Sequence, residues 1–125
     1  MRRFPLVQDN GQIEQLPAAD FAHIGKLNLE PRQIIIVNSA TINVTSSFVR
    51  VRYNGGGTQN VDQINGGERG DILIIHRANG GNNIRFRKGN GNINGGNDRT
   101  MRSRDDTLML IKITGGQWNE VSWQG

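Results

Sequence analysis

The amino-acid sequence predicts an all-β fold, an antiparallel β-sandwich or barrel of jelly-roll type, preceded by an extended N-terminal arm. From Gln33 onward the apolar residues are largely β-branched and gathered in runs too short for helices. Paired glycines at 55, 66, 80, 95 and 115 cut these runs at intervals, as turns between short strands do. No long helical pattern lies between the runs, which argues against a βαβ sheet. A β-helix is the competing architecture, since stacked turns also use Gly and Asn corners. The glycine spacing drifts between about 10 and 20 residues, however, and no fixed repeat survives counting.

Residues 1–32 form the arm and residues 33–125 the β domain. The arm holds all three prolines, Pro5, Pro17 and Pro31, and few β-branched residues, with at most one helical turn over 20–27, Asp20 as its N-cap. An arm without its own core is ordered by what it lies against. Arg2, Arg3, Phe4, Leu6 and Val7 are therefore candidates for docking on a neighbouring subunit.

In the β domain, 34–37 reads as a buried strand and 41–45 as a polar-alternating one. Over 48–53, Val49, Val51 and Tyr53 share one face, with Phe48, Arg50 and Arg52 on the other. Val61 and Ile64 mark a brief strand, and 71–76 is a second near-continuous buried run. Segment 83–87 alternates again, with Ile84 and Phe86 inward and Arg85 and Arg87 outward, so that two strands carry an Arg-x-Arg face. Residues 89–96 make a Gly-Asn corner, Met101 anchors a short strand, and Arg104, Asp105 and Asp106 turn into the longest apolar run, 107–113. Gly115 and Gly116 lead to a last strand over 118–123, for eight to ten strands in all.

Composition narrows the function. Apolar residues are 34% of the chain, against 17 glycines and 15 asparagines, so the core is thin and association with copies of itself or another partner is expected to supplement it. With no cysteine, disulfides and thiolate chemistry are excluded. No apolar run is long enough to span a membrane, and the first residues lack the apolar stretch of a signal peptide, so a soluble cytoplasmic origin is expected. The net charge of +4 belongs wholly to residues 48–125, which carry eleven basic and seven acidic side chains and suit an anionic partner surface.

Catalytic chemistry finds few candidates, and neither enzymatic activity nor a cofactor or metal is expected. His23 and His76 stand alone, and His76 reads as a satisfied strand-end residue. Asp105 and Asp106 read as turn formers rather than cation ligands. Residues 89–95 lack both the phosphate-loop pattern and a following helix. The few aromatics do not interleave with basic residues, which disfavours nucleic acid. Arg50, Arg52, Arg85 and Arg87 are the strongest binding candidates, because grouped guanidinium groups require carboxylates such as Glu68, Asp71 or Asp98, or an acidic partner.

Arg3-Phe-Pro-Leu-Val7, Gly11-Gln-Ile-Glu-Gln-Leu-Pro17, Gly70-Asp-Ile-Leu-Ile-Ile75, Asn83-Ile-Arg-Phe-Arg87, Thr107-Leu-Met-Leu-Ile111 and Trp118-Asn-Glu120 span nearly the whole chain. Together they resemble small β-rich virion proteins of tailed bacteriophages: capsid decoration (cement) proteins, head fibres and tail-fibre tips. The resemblance implies a non-enzymatic homotrimer with an N-terminal segment attached to the particle and a β domain facing outward. The short arm, without a shaft, favours a cement protein on the capsid surface, bound to the major capsid protein and stabilising the head. The alternative is a head-fibre or tail-fibre module that recognises a host-surface glycan, with Trp118 or Trp123 as an aromatic platform.

Overall fold

The computed structural model describes residues 25–31 and 33–125, together with the backbone of two strands nearer the N-terminus. Those strands, β1 (Arg3–Asp9) and β2 (Gln12–Pro17), pair antiparallel, with Asp9 opposite Gln12. The backbone thus doubles back as a hairpin where a single extended arm is expected from sequence. Most of the helical turn expected over 20–27 lies outside the described residues.

From Gln33 the protein is all-β, but the antiparallel jelly roll expected from sequence is not what forms. The chain winds in stacked coils. The first comprises β3 (Gln33–Ile36) and β4 (Thr41–Asn43). The second comprises β5 (Phe48–Arg52), β6 (Thr58–Val61) and β7 (Gln63–Asn65). The third comprises β8 (Ile72–Arg77), β9 (Asn83–Phe86) and β10 (Ile93–Asn94). Successive coils pair in parallel: β3 with β5, β5 with β8, β4 with β7 and β6 with β9. Such ladders make a short β-solenoid rather than a sandwich or barrel.

The solenoid is closed by reversal. Strand β11 (Arg99–Met101) runs antiparallel to β9, and β12 (Thr107–Lys112) antiparallel to β8. After a 3-10 turn at Thr114–Gly116, β13 (Trp118–Gln124) runs antiparallel to β12, and its first residues run parallel to β10. The long sheet therefore has the order β10-β13-β12-β8-β5-β3.

Inward side chains stack from coil to coil. Val49 lies beside Ile75 and Ile75 beside Leu108, while Val61 adjoins Phe86 and Ile42 adjoins Ile64. Each of these is at most 2% exposed. Burial of one such side chain contributes roughly 1.5–3 kcal/mol before entropy is counted. β-branched residues suit this arrangement, because their fixed χ1 rotamers align in register over the coil below.

Polar side chains complete what the strands leave open. Asn92 stands in for a strand between the second and third coils: its Oδ1 accepts from the Ile64 N–H at 2.8 Å, and its Nδ2 donates to the Ile64 carbonyl at 2.7 Å. Asn65 donates to Asn43 at 3.3 Å and Asn94 to Asn119 at 2.8 Å, so asparagine amides pair between neighbouring strands. At the first coil Gln33 bridges β3 to β4, donating to the Asn43 carbonyl and accepting from the Thr45 N–H, both at 2.8 Å. One corner shows why glycine is needed. Gly81 has φ +81, and a β-carbon there would lie 2.5 Å from the Tyr53 carbonyl oxygen of the coil before it.

Replacing Asn92 by Ala strips Ile64 of partners for both its N–H and its C=O. Urea denaturation of Asn92→Ala is expected to show a loss of about 2 kcal/mol or more, the scale for orphaned buried polar groups. Chemical denaturation with an unchanged midpoint would show that Asn92 does not act as a strand substitute.

Candidate interaction surface

The outer face of the long sheet is the unusual surface of this molecule. In β5 the outward residues are Phe48, Arg50 and Arg52, as expected from sequence, with Val49 and Val51 fully buried on the inner side. The runs that read as wholly buried do not behave alike on both sides. In β3 the outward residues Ile34 and Ile36 are 58% and 53% exposed, and in β8 Ile72 is 47% exposed.

Register places these residues together. Ile34, Arg50, His76 and Thr107 follow one another across the sheet, and Phe48, Ile74 and Met109 make the adjacent row. Ile72 and Ile111 extend it. Val121 projects where the β12–β13 register shifts and is 56% exposed. Apolar side chains thus recur across the sheet, with Arg50, Arg52 and His76 set among them.

The polar groups on this face are incompletely matched. Arg52 Nε donates to Asn54 Oδ1 at 2.7 Å, and His76 Nε2 lies 2.9 Å from Asp105 Oδ1. Arg50 Nε and His76 Nδ1 are buried without a hydrogen-bond partner. Among the described residues, neither Arg50 nor Arg52 forms an ion pair with a carboxylate.

The four arginines do not share one face, as strand neighbours would. Arg85 and Arg87 belong to the β9 side of the solenoid, not to the long sheet. Arg85 Nε donates to Thr100 Oγ1 at 3.2 Å. Arg87 is held by Asp62 through two bonds of 2.7 and 2.6 Å, and this hydrogen bonding keeps its pKa above the usual arginine value despite desolvation. The expected partners Glu68, Asp71 and Asp98 do not ion-pair with these arginines in the described residues. Of the arm candidates, the backbone of Arg3, Phe4, Leu6 and Val7 lies in β1, while their side chains and all of Arg2 lie outside the described residues.

Sequence reading missed Arg77, the one charged side chain buried in the described core. At 5% exposure it donates from Nη2 to the Gly81 carbonyl at 2.9 Å, fixing the corner between β8 and β9. It also missed the Arg99–Glu120 pair. Those two bonds, of 2.7 and 2.8 Å, tie β11 to β13 and hold the Arg99 guanidinium above its usual pKa range, mainly through hydrogen bonding. The outward isoleucines carried a signal that alternation alone hides. Runs such as 34–36 are apolar at inward and outward positions alike, next to a strand whose outward positions include Arg50 and Arg52.

No group of three or more His, Cys, Asp or Glu side chains among the described residues is arranged to hold a metal ion. No helix of the described residues is long and apolar enough to cross a membrane. The Asp105–Asp106 segment is a turn: Asp106 Oδ2 accepts from the Arg102 and Ser103 N–H groups at 2.8 and 3.0 Å, and Asp105 has φ +77. The profiles of known protein families and the curated protein sequences contain no match to this chain.

The two tryptophans separate cleanly. Trp118 is 1% exposed, its ring beneath Gly67 and beside the Lys112 ammonium, which rules it out as an open platform. Trp123 is only partly buried at the end of the solenoid. In single-tryptophan variants Trp118→Phe and Trp123→Phe, acrylamide is expected to quench Trp123 several-fold more strongly than Trp118. Equal quenching would contradict this placement.

Proposed function

We propose that the chain is a non-enzymatic structural protein of a tailed-phage particle that assembles with copies of itself, as a homotrimer, through the outer face of the long sheet. The exposed isoleucine band carries this reading. Exposed apolar side chains gathered on one face mark interaction sites, and a thin core gains stability when such a face is buried. A second copy is the favoured occupant because the same face offers both charges: Arg50 and Arg52 near β3, and Asp105 beyond the end of β8. Packing with Arg50 or Arg52 against a neighbour's Asp105 gives these arginines a carboxylate, which among the described residues of one copy neither pairs with.

Assignment to a phage particle rests on the resemblance of the strand-and-turn segments. Within it, the chain serves as a capsid decoration protein, with the N-terminal segment bearing Arg2, Arg3, Phe4, Leu6 and Val7 bound to the major capsid protein. The solenoid runs from β3 to β13, so copies packed with parallel axes present β3 at one end and β13 at the other. That polarity supports outward projection, and it serves a fibre tip equally. The Trp123 end is the observation that favours the fibre reading.

Sedimentation at micromolar concentration is expected to give a trimer. Ile36→Lys with Ile72→Lys is expected to weaken assembly by about tenfold or more without changing the far-UV circular dichroism of the folded chain. A wild-type monomer under these conditions would remove the basis of the proposal. Deletion of residues 1–15 is expected to abolish occupancy on purified particles while the β domain stays folded. Unchanged occupancy would remove the N-terminal segment from the attachment site.

A further inference from the structure

Asparagine followed by glycine is a chemically labile pair, because the glycine nitrogen closes on the asparagine side chain with no β-carbon in the way. Six such pairs stand in this chain: Asn10-Gly11, Asn54-Gly55, Asn65-Gly66, Asn79-Gly80, Asn90-Gly91 and Asn94-Gly95. The first lies outside the described residues. The fold treats the other five differently.

Closure needs a side-chain amide able to turn toward the next residue, and a glycine able to move to meet it. Asn65 and Asn94 lack the first, since their amides are bonded across strands to Asn43 and Asn119. Asn54 also lacks it, because its Oδ1 accepts from Arg52 Nε at 2.7 Å. Asn90 lacks the second: Gly91 is pressed so closely on Asp62 that a β-carbon would overlap the Asp62 carbonyl oxygen.

At Asn79-Gly80 neither restraint is present. Both residues are exposed. The corner is fixed on either side of them, by the Ala78 N–H on the Val51 carbonyl and by Arg77 Nη2 on the Gly81 carbonyl. Among the described residues no hydrogen bond engages the Asn79 amide. The nearest atom that a β-carbon at Gly80 would meet is Nη2 of Arg52, at 3.4 Å. Arg52 is held over this corner by Asn54 and pairs with no carboxylate among the described residues. Its charge favours the anionic nitrogen and the oxyanion that arise during closure.

We infer that Asn79 is a site of spontaneous deamidation. The Gly80 nitrogen gives up its proton to hydroxide and attacks Asn79 Cγ. The bond from Cγ to the amide nitrogen breaks, that nitrogen takes a proton from water and leaves as ammonia, and a succinimide remains. Water then adds to either carbonyl of the ring and opens it to an aspartyl or an isoaspartyl residue. Both products place a carboxylate beside Arg52. Because Arg52 lies on the face proposed above for self-association, the site ties the age of the chain to the charge of that surface. The chemistry itself does not rest on that reading.

The full chain is held at mildly alkaline pH and physiological temperature, and conversion at each asparagine is followed by peptide mapping with mass spectrometry. In the folded chain Asn79 is expected to convert about tenfold or more faster than Asn54, Asn65, Asn90 and Asn94. In urea the five rates are expected to converge, since the restraints belong to the fold. Arg52→Gln, at an exposed position, is expected to slow Asn79 several-fold and to speed Asn54, whose amide it releases. Conversion at Asn79 no faster than at the bonded asparagines, or the same ranking in urea, would overturn the inference. Unchanged rates at both Asn79 and Asn54 in a folded Arg52→Gln chain would contradict the role given to Arg52.

Discussion

Everything in this fold depends on parallel stacking of inward side chains from one coil to the next. Val49 on Ile75, Val61 beside Phe86 and Ile42 beside Ile64 hold three sides of the solenoid in register at once. A one-residue slip in any ladder would turn buried residues outward along that side. The corners accommodate the register, with Gly81 close under the Tyr53 carbonyl. Asn92 supplies the hydrogen bonds that a missing strand would have made.

A solenoid has two open ends, and this one treats them differently. Gln33 bridges the strands of the first coil with one amide. The other end is finished by β11, β12 and β13, with Arg99 and Glu120 as the tie and Trp123 over it. The second arrangement leaves a polar cleft, whereas the long sheet leaves exposed isoleucines along its outer face.

Strand positions were legible in the sequence because alternation in 48–53 and 83–87 reports directly on burial: Val49, Val51, Ile84 and Phe86 are all buried. Partner choice was not. Gly-Asn corners serve a hairpin and a solenoid equally well, so local chemistry could not separate antiparallel neighbours from parallel coils. The repeat was hidden for a countable reason. Paired residues are 16 apart between β3 and β5 (33 to 49), 22 between β4 and β7 (42 to 64) and 26 between β5 and β8 (49 to 75), because the first coil has two strands and the later ones three. The arginine pairs misled for a related reason. Arg50 and Arg85 obey the same alternation, but β5 and β9 lie on different sides of the solenoid. Trp118 and Trp123 look alike in sequence, and only the turn at 114–116 and the register of β13 separate a core residue from a partly buried one at the end of the solenoid.

The parallel coil is tested most directly by inter-strand nuclear Overhauser effects on the isotope-labelled chain. Antiparallel pairs bring opposed Hα protons into close contact, and parallel pairs do not. Strong Hα–Hα cross-peaks are predicted across β8–β12 and β12–β13, none across β3–β5–β8, and side-chain contacts are predicted between Val49 and Ile75 and between Ile42 and Ile64. Strong Hα–Hα cross-peaks between β3 and β4 or between β5 and β6, the sequence neighbours that hairpins would join, would contradict the solenoid.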